Sequence, residues 1–94
     1  MLYFVTAHDH TDEDAPARRT RVRQAHLDAL GPLVDSGRMQ VAGVYLDDDG
    51  VMRGSMMLIE ADDEAAVRAL LEQDIYFQER VWDRFEIRPF KRAV

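Results

Sequence analysis

The fold is decided by residues 39–61, which read MQVAGVYLDDDGVMRGSMMLIEA. Two apolar runs, Met39–Leu46 and Val51–Ala61, lie on either side of the acidic tetrapeptide Asp47–Gly50. β-Branched and aromatic residues favour strands, and an Asp-Gly pair supplies the positive φ that a tight turn needs. The stretch therefore predicts a β-hairpin in the middle of the chain.

Strands are also predicted at both ends of the chain. Leu2–Ala7 has no polar alternation before Thr6, which predicts a first strand that is buried on both faces. Trp82–Arg92 alternates apolar and charged side chains. Because Pro89 cannot donate a ladder hydrogen bond, this last strand is expected at an edge of the sheet.

Helices are predicted between these strands and the hairpin. Pro16 suits the first turn of a helix that ends before Gly37, although Pro32 is expected to kink or restart it. A second helix is expected to start with Asp62 as its cap, and residues 74–81 to form a further helical turn. The order βαββαβ predicts an α+β ferredoxin-like sandwich, with a four-stranded antiparallel sheet and helices on one face.

Length and composition limit the function. The chain has 94 residues, a net charge of −6 and no cysteine. This length fits one domain over residues 1–94, and the negative charge disfavours nucleic acid, whose phosphates need a positive surface. The missing cysteines exclude disulfides, thiolate metal sites and cysteine nucleophiles. No apolar run is as long as a membrane span and no basic leader precedes the first strand, so a cytoplasmic protein without a membrane partner is expected.

A sheet with helices on one face leaves its other face open. The apolar side chains of Phe4, Met56 or Leu58 would be exposed to solvent on that open face. A chain of this size also buries only a modest core. A homodimer that packs the two open sheet faces together is therefore predicted.

His26 is the first candidate site residue, because it lies in the apolar stripe of the first predicted helix. Val22, Leu30 and Leu33 fall on the same side of that helix, whereas Arg19 points mostly elsewhere. A neutral imidazole has one donor and one acceptor, so its burial requires a partner. Two interpretations stay open, a core histidine held by a backbone carbonyl and a catalytic histidine.

Other polar residues are candidates for binding a substrate. Ser55 follows Gly54, which would let a substrate oxygen approach closely, although an ordinary strand hydroxyl is the competing interpretation. Arg19 and Arg23 lie on the helix of His26, with Arg23 three residues before it. One of them could pair with a substrate carboxylate, which a guanidinium matches in shape, although solvated helix arginines are more common. Tyr76 is a candidate pocket phenol, and core packing is its alternative.

The pair His8-x-His10 raises the question of a metal site. A zinc site needs three or four ligands, and here only carboxylates are available to complete one. No metal site is predicted, and His8 is instead a candidate for the mouth of a substrate pocket.

The order and spacing of several short motifs resemble the YciI-like (YCII-related) family, small proteins of the dimeric α+β barrel superfamily. The resemblance extends over essentially the whole chain. Its motifs are Met1-Leu2-Tyr3, His26-Leu27, Ser36-Gly37-Arg38, Ala42-Gly43, Gly54-Ser55, Asp74-x-Tyr76 and Pro89-Phe90-Lys91.

The resemblance implies a role for two residues. In that family a histidine of the first helix and an aspartate after the second helix form a catalytic dyad, which corresponds to His26 and Asp74. The family usually has Asp-Pro where this chain has Asp74-Ile75. Whether the Asp74 carboxylate points toward His26 without that proline is therefore an open question. Without the resemblance, Asp74 would be interpreted as the cap of the turn Tyr76–Glu79.

The resemblance also implies a class of reaction. A characterised relative eliminates chloride from a chlorinated hydroxyquinol, and the superfamily includes muconolactone isomerases; neither reaction uses a metal or organic cofactor. We therefore expect a cofactor-independent lyase or isomerase that acts on a small, aromatic-derived acid. The alternative is a non-catalytic module that binds a small ligand or a second copy, with His26 structural. Heme or oxygenase chemistry, which some dimeric barrels perform, ranks below both, because no second histidine is placed as a partner.

Overall fold

A computed structural model describes residues 1–94 and contains four strands and three helices. These elements are β1 (Leu2–Asp9), α1 (Ala15–Asp35), β2 (Met39–Leu46), β3 (Met52–Glu60), α2 (Glu64–Gln73), α3 (Ile75–Gln78) and β4 (Trp82–Phe90). The strands form one antiparallel sheet in the order β2-β3-β1-β4. The α+β ferredoxin-like fold is confirmed, and β4 lies at an edge as Pro89 predicted. No helix combines the length and the apolar character needed to cross a bilayer.

The two faces of the sheet differ in burial. Along β1, Tyr3, Val5 and Ala7 are buried in a core shared with the helices, whereas the alternate residues Phe4 and His8 are only half-buried. The expectation that β1 is buried on both faces is therefore wrong, because the helices cover one face and leave the other open. The main core consists of Tyr3, Val5, Ala7, Val22, Leu30, Met39, Met57, Ile59, Val67, Leu71, Tyr76, Val81 and Trp82.

The central hairpin forms as predicted, with its turn between β2 and β3. Gly50 has a φ of +79°, which is the left-handed conformation that glycine adopts without a steric penalty. The Asp47 carboxylate accepts hydrogen bonds from the backbone N–H groups of Asp49 and Val51, at 2.9 and 3.0 Å. This Asx-type turn fixes the register of the two strands.

Helix α1 directs a single stripe of side chains toward the sheet. Its buried residues are Ala15, Arg19, Val22, His26 and Leu30, which are three or four positions apart. Pro32 lies inside one continuous helix, so the expectation that it would restart the helix is wrong. Pro32 is exposed, and so is Asp28, four residues earlier, so water can replace the hydrogen bond that the proline removes.

The cap of α2 is Asp63, and not Asp62 as predicted. The Asp63 carboxylate accepts a hydrogen bond from the backbone N–H of Ala66 at 2.8 Å, while its own backbone is extended. An N-cap side chain reaches the N–H group two or three positions further on. With the helix beginning at Glu64, Asp63 is the residue that precedes the first helical turn.

Candidate functional site

His26 and Asp74 meet although they are 48 residues apart in the chain. His26 Nδ1 lies 2.7 Å from Asp74 Oδ1, and both side chains are about nine-tenths buried, with exposed fractions of 9% and 10%. The same oxygen accepts a hydrogen bond from the Tyr76 backbone N–H at 2.9 Å, which caps α3. Asp74 therefore has both of the predicted roles, because the same carboxylate caps the turn and holds the histidine.

The missing proline after Asp74 does not alter this arrangement. Ile75 is the first residue of α3, a position whose N–H has no partner within the helix. Asp74 itself has an extended backbone, with φ −69° and ψ 142°, which is the conformation that a following proline would favour. The hydrogen bond by which Asp74 caps α3 fixes the orientation of its carboxylate, so the proline is not needed for this.

The His26 ring is held between aromatic side chains. It stacks on Tyr76 with ring centroids 3.8 Å apart and an interplanar angle of 7°. Trp82 meets the ring edge-on at 5.7 Å. These contacts leave the imidazole a single orientation, in which Nδ1 points to Asp74.

The second ring nitrogen of His26 is free. Nε2 makes no hydrogen bond within the chain, and no buried side-chain nitrogen or oxygen is left without a partner. Nε2 must therefore reach accessible space, and the accessible space beside His26 is a cavity that the residue lines.

This cavity has a volume of about 170 Å³ and lies between α1 and the strands β2 and β3. Leu27, Leu30 and Met57 form its apolar wall, and residues 42–44 of the edge strand β2 also line it. Its polar wall consists of Arg19, Arg23, His26, Ser55 and Tyr76. Three residues that the sequence suggested for substrate binding, Arg23, Ser55 and Tyr76, thus line the same cavity as His26.

Sequence reasoning named Arg19 as one of two arginines that could bind an anion, but it did not predict that Arg19 is buried next to the dyad. Arg19 is only 4% exposed, and its Nε and Nη2 donate to the two carboxylate oxygens of Asp9 at 2.8 and 3.0 Å. Nη2 also donates to Ser55 Oγ at 3.0 Å, and Trp82 Nε1 donates to the same oxygen at 3.2 Å. The placement of Arg19 away from the buried stripe is therefore wrong. Arg19 precedes His26 by two helical turns, and this spacing could have predicted that both lie on the buried side of the helix.

Arg19 also contacts Tyr76, the aromatic residue that lines the cavity. Its guanidinium carbon lies 4.8 Å from the centre of the Tyr76 ring, which is a cation–π contact. Burial raises the pKa of the Tyr76 phenol, and the positive charges of Arg19 and Arg23 oppose that increase. Tyr76 therefore lines the cavity as a neutral phenol at physiological pH.

His8 does not line the cavity, contrary to its placement at the pocket mouth. It lies on the open face of the sheet, where Nδ1 is 2.7 Å from the Tyr45 hydroxyl and Nε2 contacts the Glu86 carboxylate. The alternation of side chains along β1 causes this, since His8 is one residue out of phase with Ala7. Gly54 provides space for the Tyr45 ring, because a Cβ there would lie 2.0 Å from Tyr45 Cε2.

His10 has different surroundings from His8. Its Nδ1 lies 3.9 Å from an Asp83 carboxylate oxygen. No group of three or more histidine, cysteine or acidic side chains is arranged to hold a metal ion. The two histidines of His8-x-His10 thus have separate partners.

Comparison with known proteins places these residues in a family. Residues 1–91 match the YCII-related domain. The chain is 34% identical over 99 aligned positions to the protein YciI of Escherichia coli O6:H1, covering 99% of each chain. It is 31% identical to fusaric acid biosynthesis protein 2 of Gibberella moniliformis, with 83% of each chain covered.

Solved structures agree with the fold. A 5-chloro-2-hydroxyhydroquinone dehydrochlorinase from Burkholderia phenoliruptrix, in complex with 2,5-dihydroxybenzoquinone, superimposes with a TM-score of 0.83. It is 26% identical in sequence, and the match covers 99% of this chain and 96% of that chain. The protein Rv0793 of Mycobacterium tuberculosis matches with a TM-score of 0.50 at 16% identity, a likeness of fold alone.

Proposed function

The chain belongs to the YCII-related family, and we propose that it is a cofactor-independent lyase or isomerase in which His26 and Asp74 transfer protons. The observation that carries the proposal is the state of the His26 ring. One nitrogen is held by a carboxylate at 2.7 Å, while the other has no partner in the chain and borders a cavity. This is the arrangement that a general base requires.

Asp74 determines which ring nitrogen acts. A carboxylate only accepts hydrogen bonds, so the neutral imidazole carries its proton on Nδ1 and presents the Nε2 lone pair to the cavity. When Nε2 takes a proton from a substrate, Asp74 stabilises the imidazolium. In an isomerisation that proton returns at another atom. In an elimination the electron pair that it leaves behind expels an anion, and the proton passes to solvent.

The size of the cavity limits the substrate. A dry cavity of about 150 Å³ is known to hold benzene. The cavity beside His26 is of similar volume, about 170 Å³, and fits one six-membered ring with small substituents. The structurally similar dehydrochlorinase, whose structure holds 2,5-dihydroxybenzoquinone, supports a ring that carries several oxygen atoms.

We also propose a homodimer that packs the open sheet faces together. Phe4 and Met56 lie half-buried on that face, and Leu58 is buried there outside the main core. A second copy would cover these apolar side chains. The structural similarity to dimeric α+β barrel proteins supports the same packing.

The substitution His26→Asn tests the catalytic proposal. The asparagine amide can still donate to Asp74, but it has no group in the place of Nε2. With chlorinated hydroxyhydroquinones and small unsaturated lactone acids as substrates, we expect turnover to decrease about 10²- to 10⁴-fold, with a thermal midpoint close to that of the wild type. Chloride release and ultraviolet absorbance measure the reaction.

The matched control is His10→Asn, which removes a histidine outside the cavity and should leave turnover unchanged. Wild-type turnover that survives in His26→Asn would contradict the proposal. A wild type that converts no compound of the panel, together with an unfolded His26→Asn variant, would support the non-catalytic module in which His26 is structural.

A further inference from the structure

The cavity is more positive than the rest of the molecule. Arg19 and Arg23 line it and no carboxylate does, although the chain as a whole has a net charge of −6. Arg19 is paired with Asp9, whereas Arg23 has no ion-pair partner in the chain, and such a guanidinium attracts an anion more strongly in a partly enclosed cavity than in water. The wall therefore has the charge that suits a negatively charged ligand.

Arg19 has donors that the protein does not use. Its Nε and Nη2 are occupied by Asp9 and Ser55, whereas Nη1 makes no hydrogen bond within the chain. Because every buried side-chain nitrogen has a partner, Nη1 must reach accessible space. Arg19 is 4% exposed and lines the cavity, so that space is the cavity.

Ser55 also has a donor to offer. A hydroxyl has two acceptor positions and one donor. Both acceptor positions of Ser55 Oγ are filled, by Arg19 Nη2 at 3.0 Å and by Trp82 Nε1 at 3.2 Å. Its own proton has no acceptor in the chain, and Ser55 lines the cavity beside Arg19.

From these contacts we propose that Arg19 Nη1 and the Ser55 hydroxyl form an anion-binding pair, which holds the negatively charged oxygen of an enol or phenol ring. The proposal deepens the proposed function, on which it rests for the reaction but not for binding. As His26 Nε2 removes a proton from the ring, charge develops on a ring oxygen, and the pair stabilises it.

The pair is fixed before the ligand arrives. Asp9 holds the guanidinium through two parallel hydrogen bonds, and the Tyr76 ring covers it at 4.8 Å. Trp82 likewise fixes the Ser55 oxygen. Donors that need no rearrangement stabilise a developing charge more strongly than mobile donors or water do. Asp9 and Trp82 are thus positioning residues for the pair.

The probe for this proposal is 4-nitrophenol, whose neutral and anionic forms absorb at different wavelengths. At a pH equal to its pKa in free solution, we expect the protein to bind it mostly as the phenolate. Ser55→Ala and Arg19→Lys should each weaken phenolate binding roughly 10- to 100-fold, because each removes a hydrogen bond to a charged oxygen. Both variants should lower the anionic fraction of the bound probe.

The controls distinguish binding by the Arg19–Ser55 pair from binding by the His26–Asp74 dyad and from a general effect of positive charge. Ser36→Ala and Arg21→Lys change exposed residues outside the cavity and should leave binding unchanged. His26→Asn should still bind the phenolate even where it abolishes turnover, so failure of the two proposals is distinguishable. Fluorescence of Trp82, the single tryptophan, reports whether each variant is folded.

Three results would overturn the proposal. One is binding of 4-nitrophenol as the neutral phenol, and another is the absence of saturable binding at millimolar concentration. The third is an anionic fraction that persists in Ser55→Ala and Arg19→Lys but disappears in His26→Asn, because the imidazolium would then hold the anion. If Arg19→Lys does not fold, Ser55→Ala alone decides.

Discussion

One oxygen atom of Asp74 links the backbone to the proposed chemistry. Oδ1 accepts from both His26 Nδ1 and the Tyr76 backbone N–H, at 2.7 and 2.9 Å. The start of α3 therefore sets the position of the carboxylate, and the carboxylate sets the orientation of the imidazole. A neutral side chain of the same shape at this position would therefore remove the charge while keeping both hydrogen bonds.

Replacing Asp74 with asparagine should separate these roles. The amide oxygen can take the place of Oδ1 and accept from both the Tyr76 N–H and His26 Nδ1, but the side chain loses the negative charge that stabilises the imidazolium. We expect turnover to decrease about 10²- to 10⁴-fold, while the free energy of unfolding falls by about 1 kcal/mol. Steady-state rates and urea denaturation measure the two effects.

Asp63→Asn is the matched control, because Asp63 caps α2 in the same way but contacts no cavity residue. It exchanges a capping carboxylate for a capping amide without touching His26. Equal losses of turnover in Asp63→Asn and Asp74→Asn would mean that Asp74 acts only through stability.

At the residue scale, the sequence predicted some parts of the site and not others. His26 followed from its place in an apolar stripe, and Asp74 from a family resemblance. The burial of Arg19 against Asp9 could not be found in this way, since single charged residues are almost never fully buried. Arg19 and Asp9 are buried as a pair, and pairing between a strand end and a helix face depends on tertiary structure that a linear pattern does not contain.

Among the elements, the connection from β1 to α1 is held by an ion pair. Arg18 donates to both carboxylate oxygens of Asp12, at 2.7 and 2.8 Å, and also to the backbone carbonyl of Arg80. The hydrogen bond from Arg18 lowers the pKa of Asp12 from 3.8 to about 2. One guanidinium thus connects the β1–α1 loop, α1 and the turn before β4.

This pair predicts a defined acid response. Because the pKa of Asp12 is lower in the folded than in the unfolded chain, its contribution to stability is complete above about pH 4 and is lost as the pH falls towards 2. Asp12→Asn should be less stable than the wild type at pH 6, and the difference should vanish near pH 2. Urea denaturation across this range measures it.

Asp48→Asn is the control for that experiment, since Asp48 lies in the turn between β2 and β3 and its side chain makes no hydrogen bond or ion pair. At pH 6 it should unfold at the same urea concentration as the wild type. A constant gap between Asp12→Asn and the wild type from pH 6 to 2 would contradict the assignment to the ion pair.

The elements also show where local patterns suffice. The hairpin at Asp47–Gly50 was predictable because its turn chemistry is local. The cap of α2 was misplaced by one residue, since Asp62 and Asp63 are equally good caps in sequence and the packing of Val67 sets the start of the helix. Pro32 was misjudged because a proline is tolerated where solvent can reach the carbonyl that loses its donor.

For the whole molecule, the two faces of the sheet present different side chains. The proposed chemistry lies between α1 and the helix-covered face, whereas the open face presents Phe4, Met56 and a polar row formed by Tyr45, His8 and Glu86. The hydrogen bond from His8 lowers the pKa of Glu86, so this row carries a carboxylate at neutral pH.

The substitution Met56→Glu tests the proposed pairing of two copies through the open face. A charge placed at the middle of the open face would be buried against a second copy without a partner, which disfavours association. We expect the wild type to have about twice the chain mass of 10.8 kDa by light scattering, and Met56→Glu to have the mass of one chain. Val34→Glu is the control, because Val34 is 54% exposed on α1 and distant from the sheet face. A wild type at 10.8 kDa, or a Met56→Glu variant that still has the mass of two chains, would contradict pairing through this face.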